Sequence, residues 1–257
     1  MKTVKFLVAV FAFALMAPTQ AQTADEIVST YLENIGGVEK LKALKGFKIT
    51  AKLNQMGQEL PLEIYQMEDG RTTTIVSVQG MTFKDQTFDG ETFWGNNQMT
   101  MQPEKKDAET TENFKLSLND FPNPFIDYEE KGYTVELVGP ETLDGTETFK
   151  VKLTKEPHTI DGKEVQDVSF YYFDTENFVP IAVTEEVKSG PGKGMVQKIT
   201  YSDYQELDGL YFAYSWNIGI EGQPQSAPLA IEEIELNPTA EDSVFAFPEA
   251  TAVETKD

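Results

Sequence analysis

From Phe47 onward the chain alternates apolar and polar residues with a period of two. Phe47, Ile49, Ala51 and Leu53 are interleaved with Lys48, Thr50, Lys52 and Asn54, the pattern of a strand with one buried and one solvated face. Met56-Gly57-Gln58 reads as a turn, after which Leu60, Leu62 and Ile64 resume the alternation. "RTTTIVSVQ" at 71–79 is rich in β-branched residues, which suit a pleated surface, and "MTFKDQTF" and "ETFWGNNQMTM" follow it. The rhythm returns later at "YTVELVG", "ETFKVKLT", "VQDVSFYYFD", "VPIAVTEEV", "MVQKITYSDYQEL", "LYFAYSWNIGI" and "LAIEEIELN". Strand after strand with tight connections predicts an antiparallel meander of about eleven strands.

Two segments break the period. At 23–46, Thr23 and Glu26 have capping-box spacing, and Ile27, Val28, Tyr31, Leu32 and Ile35 follow on one helical face. Gly36-Gly37 stops that helix, and "VEKLKALKG" predicts a second short one, with Lys45 and Gly46 at its C-terminal end. Residues 103–132 begin polar, carry Phe114, Leu116, Leu118 and Phe121, and place Pro122 and Pro124 around Asn123. They read as a helical or irregular cover.

The first residues carry a different message. Lys2 and Lys5, the apolar "VKFLVAVFAFALMA" and then "PTQA" follow the layout of a secretory signal, with a cut expected near Ala21. Residues 22–257 are then expected to form a single β domain. The absence of cysteine from the sequence excludes disulfides, thiolate metal sites and the cysteine to which a lipid anchor is attached. With 43 acidic against 21 basic residues and a net charge of −22, the chain repels nucleic acid and anionic membrane surfaces. No nucleic-acid partner is expected, and only transient membrane contact.

Candidate chemistry is sparse. Five Asp-Gly pairs, at Asp69, Asp89, Asp144, Asp161 and Asp208, lack the further acids of a calcium loop and read as tight turns between strands. His158, the single histidine, reads as an exposed turn residue, and no serine has the glycine setting of a nucleophile elbow. "KSGPGKGM" at 188–195 lacks phosphate-loop spacing and reads as a hairpin loop. Adjacent acids such as Glu232 and Glu233 read as a solvated face rather than a hydrolase pair. No catalytic residue, metal or cofactor is expected. What remains is a wealth of large apolar side chains, among them Phe83, Phe93, Trp94, Met99, Met101, Phe170, Tyr172, Tyr201, Tyr204, Tyr211, Phe212, Tyr214 and Trp216. They fill a core or line a hollow, and composition does not separate the two.

Several stretches resemble periplasmic proteins of the LolA/LolB-like superfamily, the outer-membrane lipoprotein-sorting proteins. They are "YLENIGGVEKLKALKGFKITAKL", "QTFDGETFW", "DYEEKGYTVELVGPETLDGTETFKVKLT", "FYYFDTENFVPIAVTEE", "YSDYQELDGLYF" and "IELNPTAEDSVFAFP", in order through residues 23–248. The resemblance implies an incomplete antiparallel β-barrel, with N-terminal and central helices covering a hydrophobic cavity. It implies a non-enzymatic periplasmic carrier or sensor of a lipophilic ligand, such as lipoprotein acyl chains. Leu62, Ile64, Phe83, Phe93, Trp94, Met99, Met101, Phe170, Tyr172, Tyr214 and Trp216 are the cavity candidates. Carriers of the superfamily hold their lid with an arginine, which makes Arg71, the single arginine, the lid or gating candidate. Related segments are also appended to insulinase-like metallopeptidases, so an interaction module that binds another envelope protein is the alternative.

Overall fold

The computed structural model describes residues 22–97 and 99–248; the expected signal segment at 1–21 lies outside the described residues. Helix α1 (Ala24–Asn34) starts at the anticipated capping box. The Thr23 amide donates to the Glu26 carboxylate at 3.0 Å, and the Glu26 amide donates to Thr23 Oγ1 at 3.1 Å. Helix α2 (Val38–Lys42) is capped at Ala43, not at Gly46. Gly46 instead opens the first strand, where a Cβ would stand 2.8 Å from the Gln66 carbonyl oxygen.

Thirteen strands follow, all in one antiparallel sheet. They are β1 (Gly46–Gln55), β2 (Gln58–Met67), β3 (Thr72–Val78), β4 (Met81–Phe88), β5 (Phe93–Asn96), β6 (Pro103–Lys105), β7 (Thr134–Leu143), β8 (Thr146–Ile160), β9 (Lys163–Asp174), β10 (Pro180–Glu186), β11 (Val196–Leu207), β12 (Leu210–Ile220) and β13 (Ser226–Leu236). The count exceeds the expected eleven where the pieces are shortest, at β5 and β6. The spatial order runs β6 through β1 and then β13 down to β7, so every neighbour is sequential except the β1–β13 pair. That pair joins the first and last strands. The edges β6 and β7 do not meet, and the barrel is incomplete.

Turn chemistry accounts for the tight connections. Asp144-Gly145, Asp161-Gly162 and Asp208-Gly209 each close a two-residue hairpin with both φ angles positive, the twist-matched geometry that favours this dipeptide. Asp89 works differently, with its carboxylate accepting from the amides of Glu91 and Thr92. Where strict alternation fails, a bulge explains it. Thr50 pairs with Glu233 and Ala51 with Ile231, so Glu232 is skipped and Ile231 and Ile234 both face inward. Glu232 points outward to Lys52, 2.6 Å away.

Two apolar clusters flank the inner face. In one, Ile27, Val28, Tyr31 and Leu32 of α1 pack on Val151, Leu153 and Phe173 of β8–β9. Each such side chain contributes about 1.5–3 kcal/mol on leaving water. In the other, Ile49, Ala51 and Leu62 meet Leu229, Ile231 and Ile234. Because β6 and β7 lie at opposite edges, the chain from 106 to 133 must cross from one to the other. It does so as helix α3 (Ala108–Ser117), a 3-10 turn (Leu118–Asp120) and an irregular stretch, which matches the expected cover.

Gly36 fixes the helices to the sheet. Its φ is +122°, and a Cβ there would collide with the Gly209 carbonyl and Leu210, while the Tyr211 amide donates to Ile35 O at 3.0 Å. Gly36→Ala should therefore lower unfolding free energy by about 2 kcal/mol or more, read as a shifted denaturant midpoint with an unchanged slope.

Candidate ligand cavity

The crossing segment does not press flat on the sheet. Between them lies a hollow of about 520 Å³, within the range of small-molecule sites. Its roof is Tyr31 of α1 and Ile35 just after it, Leu41 of α2, and Asp120 with Pro122–Phe125 of the cover. Its floor comes from Phe47 and Ile49 of β1, Ile64 and Gln66 of β2, Phe212, Ala213 and Trp216 of β12, and Ile231 and Ile234 of β13. Tyr171, Pro180, Tyr201, Tyr204 and Tyr211 complete the wall.

Aromatic pegs and a few polar bonds hold the roof. Phe125 is buried and meets the Tyr171 ring edge-on at 4.7 Å between centroids, and Phe121 lies 5.3 Å from Phe47. Asn123 Nδ2 donates to the Tyr31 hydroxyl at 2.8 Å. Burial pushes the Tyr31 hydroxyl up to about 12, against a smaller opposing effect of that bond. At pH 7 the phenol is neutral.

The alternation of inner and outer positions decides where each cavity candidate goes. Ile64 and Trp216 stand in the wall. Leu62 and Tyr214 are on the same inner face but belong to the filled cluster beside the hollow. Phe93 stacks on Phe114 of α3 at 4.0 Å, beneath the start of the cover. Phe83 pairs across to Val76 and is half-buried away from the hollow. Trp94 faces the other side of the sheet, where its Nε1 donates to the Phe245 carbonyl at 2.9 Å. Phe170 and Tyr172 also face outward, flanking Lys150 at 5.1 and 5.0 Å. Met99 and Met101 are exposed in the β5–β6 turn.

Arg71 is likewise outside the hollow. Its guanidinium reaches Asp69 at 2.9 Å and Asp242 at 2.6 Å and lies 5.0 Å over the Phe245 ring. It fastens the C-terminal 3-10 turn (Asp242–Val244) to the outer face of the sheet.

Several wall residues carried no sequence signal of their own. In "SFYYFD" both faces are aromatic, so nothing in the pattern selects Tyr171 over Phe170 or Tyr172. Asp120 and Gln66 are ordinary polar residues until the fold brings them to an apolar space.

At one end the hollow adjoins a buried ionic cluster, also invisible in sequence. Asp167, with its side chain 6% exposed, receives Lys188 at 2.6 Å and Lys155 at 3.1 Å. Lys155 also reaches Asp120 of the cover at 2.7 Å, and Tyr133 donates to the same carboxylate at 3.1 Å. The expected exposed turn histidine is instead half-buried within β8, with Nε2 3.6 Å from Asp167. Burial pulls the His158 pKa down, and the attraction of Asp167 only partly offsets it. Burial alone would raise the Asp167 carboxyl, but Lys155 and Lys188 outweigh it and hold the group below the usual range.

A depressed carboxyl stabilises the fold at pH values above its unfolded pKa, and that stabilisation disappears as pH falls through the folded value. Asp167→Asn should cost about 3 kcal/mol near neutrality by leaving two lysines short of their anion. It should also flatten the stability–pH curve below about pH 4, measured by urea unfolding across an acid series.

No family model and no curated protein matches the chain. Solved structures do. A LolA superfamily protein from Nitrosomonas europaea is 13% identical with a TM-score of 0.52, covering 88% of this chain and 98% of its own. An outer membrane lipoprotein-sorting protein domain from Vibrio parahaemolyticus is 13% identical with a TM-score of 0.52, covering 86% and 97%. A DUF1329 family protein from Desulfovibrio piger is 12% identical with a TM-score of 0.53, covering 87% and 97%. Sheet, helices and crossing segment together give this chain a LolA-like fold.

Proposed function

We propose that the protein is a non-enzymatic carrier or sensor that binds a lipophilic ligand in the hollow between the sheet and its cover. One observation carries the reading. A space of about 520 Å³ is walled largely by Phe, Tyr, Trp, Ile and Leu side chains between the sheet and its cover. An alkyl chain entering it gains about 0.8 kcal/mol per CH₂ buried. Acyl chains of lipoproteins fit that chemistry, and the neighbouring folds include one described as lipoprotein-sorting. The N-terminal pattern supports export to the periplasm, where such cargo would be met. Among the described residues no helix is long and apolar enough to cross a membrane.

Roof and floor suggest how cargo enters. The irregular stretch after α3 is held by separable side-chain contacts rather than by strand pairing, so it can lift without breaking the sheet. The alternative of docking a protein strand onto an open edge has less support. β6 has three residues, and β7 carries Pro140 beside a bulge at Leu137–Gly139, devices that blunt edges.

The two tryptophans make a test possible. Trp94→Phe leaves Trp216 in the wall as the sole indole, so a saturable change in its emission should accompany titration with a ten-carbon amphiphile. Ile231→Trp, judged by native mass spectrometry, should fill the space and weaken binding by about tenfold or more. Unchanged affinity in that variant, with the fold intact by circular dichroism, would place the ligand elsewhere.

A further inference from the structure

The wall is not uniformly apolar, and its polar end carries information about the head of the ligand. Strand register sets Tyr171, Val183 and Ile199 in one row across β9, β10 and β11. Ser169 and Glu185 form the next row on the same face, and Tyr201 lies two residues beyond Ile199 on the other side. Tyr171 and Tyr201 both line the hollow.

Of the other wall tyrosines, Tyr211 is exposed, and Tyr31 and Tyr204 are already engaged. Tyr31 accepts from Asn123, and Tyr204 donates to the Pro180 carbonyl at 2.7 Å. Tyr171 and Tyr201 have no hydrogen-bond partner among the described residues. Among the described residues no fully buried side-chain polar atom is left without one, so both hydroxyls keep accessible surface, and both residues line the hollow. Burial drives the Tyr171 hydroxyl well up, and Tyr201, Asp120, Tyr31 and Glu185 add to the effect. Tyr201 rises for the same first reason, with Tyr31 and Glu185 contributing. Both are therefore neutral phenols that can donate and accept.

The charges around them disfavour an anion. Asp120 is itself in the wall, and Glu185 is close, 3.4 Å from Ser169 Oγ. Two of the nearby cations are held in ion pairs. Lys155 is held between Asp120 and Asp167, and Lys188 is held on Asp167. Lys131 points to the Asn123 carbonyl at 3.5 Å, on the cover. An ionised carboxylate would enter beside Glu185, which has no ion-pair partner among the described residues, while Lys131 lies on the Asn123 carbonyl of the cover. An ammonium could not accept from the phenols. A hydroxyl both donates and accepts, as they do.

Resting on the carrier reading, we infer that the hollow selects lipids with an uncharged, hydroxyl-bearing head, of the glyceride kind, through Tyr171 and Tyr201, and rejects ionised fatty acids.

The test compares glycerol monodecanoate with decanoate at about pH 7.5, where the acid is ionised, on delipidated protein by the Trp216 emission of the Trp94→Phe chain. The glyceride should bind about tenfold more tightly or better. Tyr171→Phe with Tyr201→Phe should bring the two probes within about threefold by weakening the glyceride. Glu185→Gln should strengthen decanoate severalfold and leave the glyceride within about twofold, a split that mere structural damage does not produce. Equal or tighter binding of decanoate to the parent, or of decylammonium than of the glyceride, would overturn the inference while leaving the carrier reading in place. Binding of none of the probes would overturn both.

Discussion

The structure depends on one topological constraint, the passage of the chain from β6 to β7 at opposite edges of an open sheet. Strands up to β6 can be laid down by hairpins alone, and so can those from β7 to β13. Between the two halves the chain has to traverse the inner face, because the outer route would leave that apolar face uncovered. Residues 106–133 are thus both connection and roof. Their aromatic pegs, Phe114 on Phe93, Phe121 on Phe47 and Phe125 on Tyr171, occur at intervals set by the distance to be crossed. The second return, the β1–β13 pairing, then ties both halves into a single sheet.

A hollow survives under that roof for a physical reason. Irregular backbone cannot satisfy its own polar groups as a helix does, so it is pinned at points by side chains rather than along its length. Asn123 shows this directly, accepting from the Phe125 amide at 3.0 Å while donating to Tyr31. The pegs are phenylalanines set against aromatic rings of the sheet, which hold the roof at fixed points. Helix α1, by contrast, presents a regular apolar face that packs Ile27, Val28 and Leu32 against β8 and β9, and only its last turn reaches the hollow. The filled clusters and the space between them follow from which cover is regular and which is not.

Much of this was legible in the chain. Period-two alternation located the strands, the Asp-Gly pairs marked hairpins, and the capping box opened α1 at the right residue. The cover was visible as a break in rhythm. Face assignment was harder. Alternation puts Ile64 and Trp216 inward, but in "SFYYFD" the four central positions are all aromatic and only the inter-strand register separates Tyr171 from its neighbours. Trp94 and Phe170 are large and apolar, yet the outer face supplies partners for them in the C-terminal turn and in Lys150. Hydrophobicity reports burial, not which side of a sheet provides it. The Asp120–Lys155–Asp167–Lys188 chain had no signal, since its members are far apart in sequence and each is common.

That ionic chain also separates what the backbone settles from what the side chains settle. The backbone of this chain carries the cover across the sheet and leaves a space beneath it. It does not fix the wall, because inner-face positions need only be of suitable size to preserve the packing. In this chain the wall ends against carboxylates whose lysine partners are already occupied, and two unengaged phenols stand beside them. Burying such groups is unfavourable unless something else completes them. An entirely apolar ligand would cover the tyrosine hydroxyls and leave them unsatisfied, whereas one with a hydroxylated head would complete them. What the space can complete is therefore a property of these side chains, and the backbone they sit on only brings them together.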